Sequence, residues 1–280
     1  MHEDGSMIRK TGKSHIFLHG PYFPSHELNR MQHEGDVGQA RRSFLASRFR
    51  NLDYLLRFRY EWMNDYIGDT DAIVIEIGAG AGFSELYLNQ RPTLTDAVLN
   101  PWIDKILDAT NMNLQDESVD VIIASHTLHH FYSPYRFFME CARVLKPGGK
   151  ILIQELNTSL ALRVLLRLMR HEGFSYDVNV FDSTAVVNDP ADLWSANCAV
   201  PEMIFECSSR FERTFPEFKI IKNLTGEFML FPLSGGVIAK TPIPELPHWA
   251  LKAVMKFDKV LTASFPKLFA MGRSVAVVKI

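Results

Sequence analysis

The clearest pattern along the chain is an alternation of short apolar runs with longer stretches whose apolar residues recur every three or four positions. The short runs are Ile73–Ile77, a brief one at Pro92–Thr95, Ile103–Leu107, Val119–Ala124, Ile151–Ile153, Phe218–Leu224 and Ser274–Ile280. Runs of this length read as strands, and those without polar interruption as strands buried on both faces. Between them, Leu45, Phe49, Leu52, Leu56, Tyr60 and Met63 predict an amphipathic helix or a helix pair over Gln39–Tyr66. Phe83–Leu88 reads as the first turns of a helix. Pro134–Leu145 reads as a helix with Phe137, Phe138, Cys141, Ala142 and Leu145 inward, stopped by Lys146-Pro147-Gly148-Gly149-Lys150. Leu160–Met169 predicts another helix. Strands alternating with helices predict an α/β protein with a doubly wound, mostly parallel sheet.

Periodicity also divides the chain. Residues 1–38 have none, so an extended N-terminal arm is expected there. Its five histidines (His2, His15, His19, His26, His33) lack HxH or HxxxH spacing and do not predict a metal site. Residues 39–280 read as one domain: a helical lid over 39–70, a core over 71–156, and substrate-side elements with the last strands over 157–280. Arg41, Arg42, Arg48, Arg50, Arg57 and Arg59 decorate the lid, as a solvated face or as arginines offered to an anionic substrate.

Composition narrows the class. Of 280 residues, 47% are hydrophobic and 22% charged, which suits a soluble globular protein. A net charge of −2 argues against a general nucleic-acid binder. Cys141, Cys198 and Cys207 have no CxxC spacing and read as reduced thiols. No signal-peptide core and no run of 18 apolar residues is present, so a cytoplasmic location is expected.

Candidate chemistry starts at Ala72–Glu85. Gly78, Gly80 and Gly82 follow the first apolar run at a spacing of two. A strand that ends on glycines and restarts as a helix lets a ligand approach the backbone closely. An ordinary strand-to-helix turn has glycines too, so the downstream residues decide. Asp96, fourteen residues after Gly82, closes the second strand, where an acid accepts hydrogen bonds from ribose hydroxyls. Asp108-Ala109 closes the third, where an acid can meet an adenine amino group. A dinucleotide-binding turn has a third glycine where this chain has Phe83.

The pattern Glu76-x-Gly78-x-Gly80-x-Gly82 instead resembles motif I of the class I S-adenosylmethionine-dependent methyltransferases. The resemblance continues through Asp96, Asp108-Ala109, Ser118-x-Asp120-V-I-I-A and Arg143-V-L-K-P-G-G-K. Further segments are similar to a bacterial subgroup of the type-11 methyltransferase family. They are P-W-I-D before Asp108, Leu128-His129-His130, His171–Phe174, Ser195–Asn197, Phe211–Pro216 and Leu233–Gly236. The resemblance implies a Rossmann-like seven-stranded sheet, N-terminal helices and a helical insertion before the last strand. It implies S-adenosyl-L-methionine as cofactor, surrounded by Glu76, Gly78, Ala79, Gly80, Gly82 and Phe83. Asp96 would take the ribose, Asp108 and Ala109 the adenine, and Ser125 the region of the sulfonium.

The resemblance leaves the acceptor open; a small molecule such as a sugar or a natural-product intermediate is expected. Methyl transfer needs mainly alignment and exclusion of water, while a hydroxyl or carbon acid also needs a base. His126 and His130 are the candidate bases; equally, the histidines of this loop serve to pack and orient it. His129, Glu155 and His171, the last with Glu172, are candidate substrate contacts. Neither N-P-P-Y nor an acidic metal-ligand set is recognisable, so a metal-independent site is expected. Trp249–Phe269 interleaves aromatics with Lys252, Lys256, Lys259 and Lys267, and three readings stand: packing on its own domain, a membrane-surface helix, or a homodimer contact. The contrasting functional reading is a catalytically silent fold acting as partner subunit or S-adenosylmethionine sensor.

Overall fold

The computed structural model describes residues 20–23, 36–68, 71–170, 172–238 and 241–280. The five arm histidines and His171 lie outside them. Seven strands form one sheet: β1 Val74–Ile77, β2 Thr93–Asp96, β3 Lys105–Ile106, β4 Val119–Ser125, β5 Leu145–Leu156, β6 Phe218–Gly226 and β7 Gly272–Lys279. Their spatial order is β3-β2-β1-β4-β5-β7-β6. Strands β1 to β5 pair in parallel, and β7 runs antiparallel to both β5 and β6. The order reverses between β1 and β4, and open α/β sheets bind ligands beyond the carboxyl ends of the strands at such a point.

Alternation along each strand feeds two cores. Ile75, Ile77, Ile122, Ala124, Ile151, Ile153, Val275 and Val277 face a phenylalanine-rich layer. Phe137 and Phe138 come from α4 (Pro134–Val144), Phe205 from α6 (Val200–Phe205) and Phe211 from α7 (Ser208–Thr214). Phe137 and Phe138 are fully buried, a stabilisation of about 1.5–3 kcal/mol for each such side chain. On the opposite face, Val74, Val121, Ile123, Leu152 and Ala276 pack on α1 (Val37–Ser47), α2 (Arg50–Tyr60), the single turn α3 (Asn64–Ile67) and α9 (His248–Ser264).

The N-terminal segment is the helix pair. Asp36 caps α1 by accepting the Gln39 N–H at 2.9 Å, and α1 ends at Arg48 in the left-handed region (φ 45°). The helix expected over Phe83–Leu88 is reduced to one 3-10 turn, Phe83–Leu86. Only six residues then separate that turn from β2, too few for a full crossover helix. The Lys146–Lys150 stop is taken into β5, which starts at Leu145 and accommodates the extra residues as a register shift against Val119 and Val121. The expected helix at Leu160–Met169 is α5. Trp249–Phe269 divides into α9 and α10 (Pro266–Phe269). Helix α9 packs through Leu251 and Thr262, and its buried Asp258 accepts the N–H groups of Phe228, Met229 and Leu230, at the start of α8 (Leu230–Leu233). Trp249, Phe257 and Val260 remain exposed. Among the described residues no helix is long and apolar enough to cross a membrane.

Candidate active site

The turn after β1 is held at most of its polar groups and left open at one point. Gly78 and Gly80 have φ of 65° and 52°, a region that costs an L side chain roughly 1–2 kcal/mol. A Cβ on Gly78 would also sit 2.1 Å from Thr127 Oγ1, whereas one on Gly80 would meet nothing within 4 Å. The Gly80 N–H donates to Asp96 Oδ2 (2.8 Å), Trp102 Nε1 donates to the Gly80 carbonyl (2.8 Å), and Ala79 N–H donates to the Thr95 carbonyl (3.0 Å). From α1, Arg41 donates to the carbonyls of Ala81 (2.7 Å) and Gly82 (3.0 Å) and pairs with Glu85. The lid arginine is therefore a strut for the turn, neither a solvated side chain nor a substrate hook.

The open side of Gly80 faces a cavity of about 1250 Å³ at the switch point. Single-ligand pockets usually have about 300–1,000 Å³, so this one has room for two molecules. Gly78, Ala79, Gly80, Phe83, Asp96, Asp108, Ala109 and Ser125 line it, as do His126, His129 and His130. Asp96 uses one oxygen for Gly80 and the other for the Val98 N–H (3.0 Å), and each carboxylate oxygen can accept a second bond. Asp108 Oδ1 accepts from the Thr110 N–H and hydroxyl, at 2.8 and 2.7 Å. An open glycine backbone beside one ordered carboxylate, with a second at the next strand end, fits a nucleoside cofactor.

Three sequence-predicted residues stand behind the wall. Glu76 is buried beneath the turn, because alternation along β1 turns it towards α2. It accepts from the Ser84 hydroxyl and, at 3.4 Å, from Tyr60. Burial pushes its carboxyl up to about 8 despite those two hydrogen bonds. Gly82 packs against Trp102 and Arg41. Glu155, expected to contact substrate, is fully buried and has His129 as partner.

The histidine loop combines contacts from three parts of the chain. His129 Nδ1 donates to Glu155 Oε2 at 2.7 Å, and its Nε2 lies 3.4 Å from Glu172. His130 Nε2 lies 3.6 Å from the same carboxylate, and its Nδ1 is 3.2 Å from the Ser195 carbonyl. Burial alone lowers the His129 pKa, but the two carboxylates raise it to about 10. His130 is pushed down to about 4, by burial and then by His129. His126 has φ 52° and a buried Nε2 without a hydrogen-bond partner; burial and then the Arg59 charge hold its pKa well below 6.5. His126 thus holds a sparsely populated backbone conformation at the cavity wall.

Sequence reasoning missed the buried pair of Arg59, on the cavity wall, with Glu227 (Nε to Oε2 3.0 Å). Its one signal was an arginine beside the apolar stripe of α2. It also gave no reason why His171–Phe174 and Ser195–Asn197 should meet. In the structure Gly173 bridges to Asn197, whose N–H donates to the His129 carbonyl at 2.9 Å.

Residues 75–153 match the family model described as a methyltransferase domain. A stretch of 55 residues is 46% identical to phthiotriol/phenolphthiotriol dimycocerosates methyltransferase 1 of Mycobacterium ulcerans, spanning 19% of this chain and 19% of that protein. A SAM-dependent methyltransferase from Thermotoga maritima superimposes with a TM-score of 0.50 at 17% identity, over 87% of this chain and 96% of that one. One from Archaeoglobus fulgidus gives 0.49 at 18% identity, over 85% and 98%. The sheet order, the glycine turn and the matched family model agree: the chain has the class I methyltransferase fold, residues 75–153 match a methyltransferase domain, and the cofactor is S-adenosyl-L-methionine.

Proposed function

We propose that the chain is an enzyme that transfers a methyl group from S-adenosyl-L-methionine to a small-molecule acceptor bearing a hydroxyl on an apolar body. The observation that carries this reading is one cavity with two chemically different regions. Gly78–Gly80, Asp96 and Asp108 supply the nucleoside-binding groups, and the same cavity is lined by the histidine loop and by Leu162, Leu165, Leu166 and Phe231, which belong to one apolar cluster, with Met169. When bound, S-adenosyl-L-methionine supplies an electrophilic methyl group on a sulfonium. The chain's own residues do the rest. Asp96 and Asp108 accept hydroxyl or amino hydrogens of the nucleoside, Phe83 and Ala109 pack against it, and Ser125 borders both regions.

His126 is the base in this reading. The ring is neutral at pH 7 and lines the cavity, and its buried Nε2 has no hydrogen-bond partner within the chain, which supports this reading. The apolar residues of α5 exclude water and hold the acceptor's body, so that its hydroxyl is aligned. The Mycobacterium ulcerans relative, matched over 19% of its length, is named for phthiotriol and phenolphthiotriol dimycocerosates, in keeping with a small-molecule acceptor.

Calorimetric titration with S-adenosylhomocysteine, with NAD as control, tests the cofactor region: binding of the former alone is expected. Transfer of a labelled methyl group from S-adenosyl-L-methionine into alcohols of increasing chain length tests the acceptor. Saturable S-adenosylhomocysteine binding without transfer to any such alcohol would exclude the acceptor class.

A further inference from the structure

His129, His130 and Glu172 each turn a potential metal-ligand atom towards a common point on the cavity wall, all within 4.8 Å of one another. The two contacts to Glu172, 3.4 and 3.6 Å from the histidine Nε2 atoms, are longer than an N–H···O hydrogen bond, which spans about 2.7–3.2 Å. They are close to the edges of a coordination polyhedron, the first within the range and the second 0.2 Å beyond it: ligands about 2.1 Å from a central ion lie about 3.0–3.4 Å apart. By contrast, His129 Nδ1 to Glu155, at 2.7 Å, is a full hydrogen bond.

The surrounding contacts are those of a built site. Glu155 accepts from His129 Nδ1 and the Ser195 carbonyl from His130 Nδ1, so both rings turn Nε2 to the shared point, and an ion bound there displaces the proton that His129 Nε2 carries in its absence. The Cys198 thiol donates to Glu172 Oε2 at 3.5 Å and fixes the carboxylate. Partners of this kind, one behind each ligand, orient metal-binding side chains and set their basicity. Adjacent positions Leu128–His130 form one 3-10 turn, which brings the two rings to 4.2 Å between centroids.

We propose that His129, His130 and Glu172 bind a divalent first-row transition ion. Two imidazoles and one carboxylate favour that class over magnesium or calcium, which take oxygen ligands. Three protein ligands leave positions open towards the cavity. There the ion takes the acceptor's oxygen and polarises it; this role, unlike the binding itself, rests on the hydroxyl acceptor proposed above. This proposal stands against the expectation of a metal-independent site.

The test uses Co²⁺ and the full chain after treatment with a chelator. One equivalent of Co²⁺ is expected to give saturable visible absorption and to raise the melting temperature. Glu172→Gln and His130→Ala should each weaken that binding at least tenfold, and Glu155→Gln by about 10–100-fold, with circular dichroism reporting the fold of each. No saturable Co²⁺ absorption in the wild-type chain, or unchanged affinity in both folded ligand variants, overturns the proposal. Because these readouts need neither cofactor nor acceptor, a failed methyl-transfer assay does not affect them.

Discussion

Asp96 Oδ2 accepts the backbone N–H of Gly80 at 2.8 Å, so the end of the second strand fixes the turn that follows the first. The same carboxylate lines the cavity and retains acceptor capacity. One side chain thus shapes the loop and faces the cavity.

Asp96→Ala should weaken S-adenosylhomocysteine binding at least tenfold, since it removes both the turn's anchor and the ribose partner. Asp96→Asn, which keeps an oxygen for Gly80, should lose less. Calorimetry with the two variants checks the order; equal affinity in wild type and Asp96→Ala would remove Asp96 from the cofactor site.

At Gly80 a side chain has space but no comfortable φ. Gly80→Arg should therefore fold with a penalty of roughly 1–2 kcal/mol while abolishing S-adenosylhomocysteine binding, because its side chain enters the cavity. A folded Gly80→Arg protein that still binds the ligand would place the cofactor elsewhere.

Glu76 gives a pH signature. Its folded-state value of about 8 lies above the ordinary 4.5, so between these values the folded chain keeps a proton that the unfolded chain releases. Stability from this group is fully present below pH 4.5 and falls as pH rises towards 8, by at most about 1.4 kcal/mol per pH unit. Glu76→Gln, neutral at every pH, should lose that slope in urea denaturation measured from pH 5 to pH 8. An identical slope in both proteins would assign it to other groups.

Arg59 and Glu227 are both buried, and neither has solvent to fall back on. Glu227→Gln should destabilise the fold by about 3–5 kcal/mol, because it strands a buried guanidinium, and Arg59→Met/Glu227→Leu should cost less than the single change. Denaturant midpoints of the two variants decide; a double variant less stable than the single one would show the pair to be net stabilising.

If His126 accepts the acceptor's proton, His126→Ala should lower kcat for a hydroxyl acceptor by about 10²–10⁴-fold, with little change in S-adenosylhomocysteine affinity. Unchanged turnover would reduce the residue to a loop-shaping role.

Local chemistry by itself determined a large part of this protein. Apolar runs and three-to-four periodicity located the strands and long helices, in the case of Leu160–Met169 to the residue. Glycine spacing and the strand-end acids located a turn and carboxylates that line one cavity, because backbone approach and strand termination are short-range properties. Tertiary structure alone decided the rest. Whether Glu76 faces a ligand or a helix depended on which sheet face α2 covers, and it faces the helix. Arg59 and Glu227, 168 positions apart, are neighbours only because α2 packs beside the chain leaving β6. His129 meets Glu155 and Glu172 for a similar reason: a parallel sheet brings the ends of β4 and β5 together, and the insertion after α5 folds over them. Such meetings follow from how whole elements pack, and no residue's immediate neighbours in the chain encode them.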